Sequence, residues 1–342
     1  MLGLGLFVSF LIGTRSYEVG KDTETYVTHF KNSQGTSSIL EEGFELGFSA
    51  LMVFISQTTG SITLFFFMVA AIITLMYLFL FTKIYQQLTK MGTPSLGEYS
   101  IILTLLLFSS WYFTMTTNGI RQGLSLCFLY TSLFYLIFEN KKLKFLLFYL
   151  IALSFHNSAL LVLPLILIYK MSLYSILIIW SLFGIGYALG LNEILIESIS
   201  NYLNIPLYGF VKSYGVLKGS SLSAPYEGFD LRFFIYTIFW PLLSIIAGKY
   251  YSNKKKITHI DIIKFNKISK LYLLLSIPYF VLGFGGFSNR YAILAWFLVP
   301  MLQFSIINLK IVTLRLKNIE IVSLIIAFLY FCFFRLKWIN FL

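Results

Sequence analysis

Arg15, Asp22, Arg121, His156 and Arg290 are the residues of this chain best suited to chemistry. A guanidinium is a planar fork that holds two oxygens of a phosphate or carboxylate at once, and a carboxylate or imidazole takes or gives a proton. Together they suit an anionic substrate whose leaving group is stabilised while a neighbouring hydroxyl is deprotonated. Their settings point the same way. Arg121 lies in Asn118-Gly-Ile-Arg-Gln122, a polar interruption between hydrophobic runs at 99–116 and 123–138. His156 and Arg290 lie in similar interruptions, Phe155-His-Asn-Ser158 and Ser288-Asn-Arg-Tyr291. A charge at the edge of a hydrocarbon layer is costly unless it meets water, a partner or an anionic ligand, so by default it marks a functional site.

The elements that must position these residues are membrane helices. With 58% hydrophobic residues, 12% charged residues and a mean hydropathy of +0.82, the composition excludes a soluble domain. Apolar stretches at 2–13, 61–82, 99–116, 120–138, 143–155, 157–169, 173–191, 232–248, 271–287, 291–309 and 319–334 predict an all-α polytopic membrane protein of about eleven spans. One domain covering 1–342 is expected, with a cavity open to the extracytoplasmic side. Residues 2–13 as a helix reach roughly 18 Å against a hydrocarbon core of about 30 Å, which suits a chain whose true start lies upstream. No basic segment precedes them and charge follows at once in Arg15, so they are read as a first helix rather than a signal peptide.

Phe44 to Gln57 is apolar at 44, 48, 51, 52 and 55, a helical stripe too short to cross. It is expected to lie as an amphipathic segment on the outer interface. With that segment left uncrossed, sixteen of the 26 lysines and arginines fall in one alternate set of loops and ten in the other. Ten of the 14 acids fall on the less basic side. The basic side is therefore expected to face the cytoplasm, which puts all five reactive residues outside, with two long outer loops at 15–45 and 192–231. Three arginines on the face where positive charge is disfavoured call for an anionic ligand, and a lipid pyrophosphate with its headgroup at the membrane surface fits.

The net charge of +12 is a topology signal with attraction to anionic lipid, and gives no reason to expect nucleic acid. Cys127 and Cys332 both fall inside predicted spans, so no disulfide framework is expected. Three histidines without ligand spacing predict no metal. No phosphate-binding lysine loop, dinucleotide fingerprint or Gly-x-Ser-x-Gly elbow occurs, so no cofactor is expected.

Each candidate has a plainer competing reading. Arg121 and Arg290 can be helix-end arginines snorkelling to headgroups; His156 and Asn157 can satisfy the backbone of a helix turn; Asp22 can be an N-cap or an ion-pair partner of Arg15. Ser38-Ile-Leu-Glu41 reads as a capping box. Asn118, Gln122, Ser125, Asn157, Asn289 and Tyr291 flank the reactive residues and are expected to bind substrate, Gln122 and Ser125 as a polar stripe pointing into the bundle. Tyr208, Tyr214 and Tyr226 in the second long loop can stack on sugar rings, or can belong to an interfacial belt.

Several of these segments occur in an order with a familiar pattern: Arg15 and Gly20-Lys-Asp-Thr-Glu-Thr-Tyr26, Glu42-Gly-Phe44, Asn118-Gly-Ile-Arg-Gln122, Phe155-His-Asn-Ser158, and Asn289-Arg-Tyr291. In this the chain resembles the EpsG family, which belongs with the Wzy-type polysaccharide polymerases; Lys21 departs from the small residue usual before the aspartate. The resemblance implies polymerisation of oligosaccharide repeat units carried on undecaprenyl pyrophosphate. The growing chain is transferred to an incoming lipid-linked unit on the outer face of the bacterial cytoplasmic membrane. It also implies a separate co-polymerase that sets chain length. Arg121 and Arg290 would hold the donor pyrophosphate, and His156 or Asp22 would activate the acceptor hydroxyl. An O-antigen ligase, a flippase for the lipid-linked unit and a membrane acyltransferase are the alternatives. Charges at the outer ends of spans rather than at midplane weigh against transport.

Overall fold

The longest apolar runs of the chain become its longest helices. The computed structural model describes residues 2–34, 44–89, 92–213, 228–253, 259–307 and 317–336, which contain helices and turns and no strand. They group into two compact units, Met1–Leu160 with Val312–Leu342, and Leu161–Ile311.

The first unit holds α1 (Leu2–Gly13), α2 (Thr23–Asn32), α3 (Leu46–Thr59), α4 (Ile62–Thr89), α5 (Leu96–Phe108), α6 (Ser110–Thr117), α7 (Ile120–Ile137) and α8 (Lys142–Phe155). Its centre is α7, which is buried almost throughout, its polar Gln122, Ser125, Thr131 and Ser132 included. Against it pack α8, α4 and α6. Small residues allow the close approaches: a Cβ on Gly13 would sit 2.7–2.8 Å from Phe67, backbone included, and one on Gly123 would sit 2.4 Å from the Met115 carbonyl oxygen. Hydroxyl contacts tie the same helices, with Ser9 Oγ on Thr74 Oγ1 at 3.3 Å and Thr74 Oγ1 on Tyr112 Oη at 2.7 Å, the polar glue of helix packing in lipid. Gly123→Val is expected to destabilise the first unit by about 3 kcal/mol or more, because the clashing atom is backbone and overpacking has nowhere to relax. The yield of monodisperse protein in detergent and its melting temperature, compared with Gly119→Ala, check this.

The second unit holds α9 (Leu163–Ile168), α10 (Leu173–Ala188), α11 (Leu191–Leu203), α12 (Leu207–Ser213), α13 (Leu231–Asn253), α14 (His259–Leu282), α15 (Asn289–Trp296) and α16 (Val299–Ile306). Buried indoles are satisfied across helices, Trp180 Nε1 donating to Ser276 Oγ at 2.7 Å and Trp296 Nε1 to Thr237 Oγ1 at 2.9 Å. The chain then returns to the first unit with α17 (Lys317–Tyr330), which packs on α5.

Among the described residues three helices, α4, α7 and α13, are long and apolar enough to cross a membrane; counting two bent pairs as single spans makes five. Several of the expected spans are interrupted for local reasons. The run 99–116 breaks at Ser109, which leaves the helical region and accepts the Tyr112 N–H at 3.3 Å, bending α5 against α6 by 73°. The run 157–169 becomes a 3-10 turn over Asn157–Val162 followed by the short α9. The run 291–309 is split before Pro300, whose ring has no N–H for the preceding turn.

Both connecting segments contain helices. The segment from Phe44 does form a helix, α3, but its stripe of Phe48, Met52 and Ile55 is fully buried against protein, with α2, α4 and α8 as neighbours. Leu46 and Phe54 stay exposed on its other side, so the helix is amphipathic with one face on protein. The stretch 192–231 is not a long loop at its start: Gly190, at φ +72°, turns the chain 92° into α11, and α12 follows. Alternating Leu191, Ile194, Leu195, Ile196 and Ile199 supply the helical periodicity that the polar content of the stretch obscured. Tyr214, Tyr226 and the Ser38–Glu41 capping box lie outside the described residues.

Candidate active site

In the first unit, the loop after α1 is stapled to the end of α6. Arg15 is 3% exposed and its guanidinium donates to the carbonyls of Ile12 at 2.8 Å, Thr117 at 3.1 Å and Val19 at 3.4 Å. The ring of Phe66 lies 4.3 Å from it. Burial drags this guanidinium down to about 10, which still leaves it charged at neutral pH. Gly20 completes the staple: at φ +97° it passes so near that a Cβ would lie 2.9 Å from the Thr117 oxygen. The next peptide is held by Asn118, whose Oδ1 accepts the Asp22 N–H at 2.8 Å. Asp22 stands at the start of α2 but makes no side-chain cap, so the capping role open to it from sequence is not the one seen.

This staple carries α2 across the start of α7. Tyr26, buried on the face of α2 that follows Asp22 by one turn, packs against the Phe44 and Phe48 rings beside Arg121. Arg121, the second residue of α7, donates from Nη1 to Glu45 Oε2 at 2.6 Å. The other carboxylate oxygen of Glu45 accepts the backbone N–H of Asn157 at 3.2 Å. The Phe44 ring lies 4.6 Å from the guanidinium carbon and packs edge-on against Phe48. Arg121 Nε is buried and has no hydrogen-bond partner among the described residues.

The end of α8 supplies the last side. His156 leaves the helix in extended conformation, and its Nδ1 accepts the Ser158 N–H at 3.0 Å. A neutral ring held in this way carries its proton on Nε2 and presents a donor there. Ser125, buried on α7, donates to the His156 carbonyl at 3.4 Å, and Gln122 is buried beside it in sequence. Burial acts to raise the Glu45 carboxyl, but the charge of Arg121 and the hydrogen bonds it accepts hold it below the usual carboxylate range. Glu45 is thus an anion at neutral pH.

Arg15, Asp22, Asn118, Arg121, Gln122, Ser125, His156 and Asn157 therefore assemble in one unit. Arg121 is the residue with a charged donor to spare. Sequence reasoning did not single out Glu45 or Tyr26. The available signal was position: Glu45 follows the Glu42-Gly-Phe44 segment directly, and Tyr26 lies one turn beyond Asp22.

The remaining candidates belong to the second unit. Arg290 sits over the Phe287 ring at 5.0 Å, in a turn where Phe287 adopts φ +58°. Ser288 Oγ and Asn289 Oδ1 are buried without partners among the described residues. Tyr291 and Tyr208 pack on one apolar cluster of Ile196, Val211, Leu282 and Phe284. The Tyr208 ring stacks on Phe284, and its hydroxyl donates to Glu193 at 3.1 Å and accepts from Lys212 at 2.8 Å.

A strongly apolar chain whose described residues are helices and turns, with helices long and apolar enough to cross a membrane, is an integral membrane protein. The chain belongs to the EpsG family, whose model matches residues 1–341. Members of that family are similar to Wzy-type polysaccharide polymerases, which places this protein in polysaccharide biosynthesis with a polymerase-like role. No curated protein and no solved structure matches it.

Proposed function

We propose that this protein joins oligosaccharide repeat units carried on undecaprenyl pyrophosphate, at the outer face of the bacterial cytoplasmic membrane. The observation that carries the reading is Arg121, whose guanidinium is fixed by Glu45 and Phe44 and retains a buried Nε donor with no partner among the described residues. A charged donor left buried and unsatisfied is expensive, and a phosphate oxygen is the partner it fits.

In the proposed reaction the acceptor sugar hydroxyl attacks the anomeric carbon of the growing chain. The new glycosidic bond forms as the bond to the pyrophosphate oxygen breaks, and the electron pair leaves with undecaprenyl pyrophosphate. Arg121 binds the departing charge where it develops. His156, with Nδ1 already accepting from the Ser158 N–H, donates from Nε2 toward the same group. That leaves Asp22 to take the hydroxyl proton. A co-polymerase controlling chain length is the expected protein partner.

The test is a gel of surface glycolipid from cells lacking the gene and from cells complemented with the intact chain or Asp22→Asn. A ladder of repeats restored by the intact chain, and reduced to single units by Asp22→Asn at equal membrane levels, is the expected result. A ladder that persists without the gene sinks the polymerase reading. Loss of every attached unit points to a ligase or a flippase instead.

A further inference from the structure

We propose that Phe44 and Glu45 form a clamp that positions Arg121, holding its Nε edge toward the pyrophosphate of the lipid-linked donor; this rests on the function proposed above. Three observations define the clamp. Glu45 takes Nη1, which lies off the Nε edge of the guanidinium, at 2.6 Å. Phe44, the adjacent residue, lies against the guanidinium at 4.6 Å and is itself braced by Phe48 and Tyr26. Nε is left buried and without a partner among the described residues. One contact fixes the end of the fork, the other fixes its plane, and the donor between them is unspent.

The geometry also separates a clamp from a placeholder. A carboxylate that merely fills the anion site until substrate arrives would be free to swing away. Glu45 is tethered instead, because its second oxygen accepts the Asn157 N–H at 3.2 Å. The carboxylate bridges the start of α3, the start of α7 and the turn after α8, so it stays when a phosphate binds. It also supplies the negative charge that lets Arg121 remain in a half-buried position before substrate arrives. Glutamine cannot replace it: one carbonyl oxygen satisfies Arg121 or Asn157, and the amide then turns a donor toward the other donor. Aspartate is one methylene too short to reach both.

The experiment uses full-length protein in proteoliposomes, supplied with lipid-linked units extracted from the deletion strain, and the same protein in nanodiscs titrated with undecaprenyl pyrophosphate. Glu45→Gln and Glu45→Asp are expected to slow ladder formation at saturating donor by about 10- to 100-fold, the scale on which a misplaced group acts. Their half-saturating donor concentration and their affinity for undecaprenyl pyrophosphate should stay within about threefold of wild type. Because Glu45 acts through Arg121, Arg121→Ala with Glu45→Gln should be no slower than Arg121→Ala alone. Three results overturn the clamp: faster turnover with tighter binding in Glu45→Ala, which would make Glu45 a placeholder; activity falling only in step with folded protein; or losses that multiply in the double variant. No ladder from the intact chain indicts the polymerase reading, whereas a ladder at full rate from Glu45→Gln indicts the clamp alone.

Discussion

Arg121→Ala is expected to cut repeat-unit polymerisation by roughly 10²- to 10³-fold, the loss that follows removal of one donor aimed at a developing oxyanion. The reason is geometric. Beside Glu45, Arg121 combines a fixed guanidinium with a buried Nε that has no partner among the described residues, a feature Arg335 shares elsewhere in the first unit, and Arg15 has already given its donors to carbonyls. Arg121→Lys should recover little, because an ammonium is a point charge without the planar fork. Truncation also strands Glu45, 12% exposed, without its cation, so part of the measured loss will be folding. Ladder rate per folded molecule in proteoliposomes separates the two effects. Removing Glu45 as well should return stability without returning turnover. Ladder formation within threefold of wild type, at equal protein, would exclude Arg121 from the reaction.

Arg15→Met is expected to act on the fold, and by a comparable phenotype in cells. The Ile12 and Thr117 carbonyls accept from Arg15 at 2.8 and 3.1 Å inside protein, and each buried acceptor left bare costs about 1–3 kcal/mol. Relief from burying the guanidinium offsets part of this, so a net loss on the order of 3 kcal/mol follows. The staple at Thr117 would loosen, while Asn118 still holds the Asp22 N–H. The melting temperature and monodisperse yield should fall sharply, while molecules that do fold keep turnover within about threefold. A normal yield with turnover down a hundredfold would instead place Arg15 in the chemistry.

These two arginines show how differently one residue type was readable. In the sequence Arg15 and Arg121 look alike, each a cation at the edge of an apolar run. Both guanidiniums lie against an aromatic ring, and the structure distinguishes them by their acceptors: three backbone oxygens in one case, a carboxylate in the other. Backbone carbonyls are present at every residue, so no pattern of side chains announces that a particular turn will present them. The same limit hid Glu45, which meets Arg121 across 76 positions of chain and Asn157 across 112. Contacts of that separation depend on how α2, α3 and α8 pack, and hydropathy carries no record of it.

By itself the sequence determined the helical membrane class, because burying so much apolar surface in lipid demands that backbone groups pair within helices. It also determined the helices α4, α7 and α13 and the polar interruptions at Arg121, His156 and Arg290, since these follow from local composition. Only the tertiary structure decided where apolar runs break, that α3 is packed among helices, and which oxygens each arginine meets. Breaks at Ser109 and before Pro300 spring from single capping or missing donors that an averaged hydropathy smooths over. The pairing of Glu45 with Arg121 arises because a charge drawn out of water must find its partner in three dimensions, from whichever segment packing brings near.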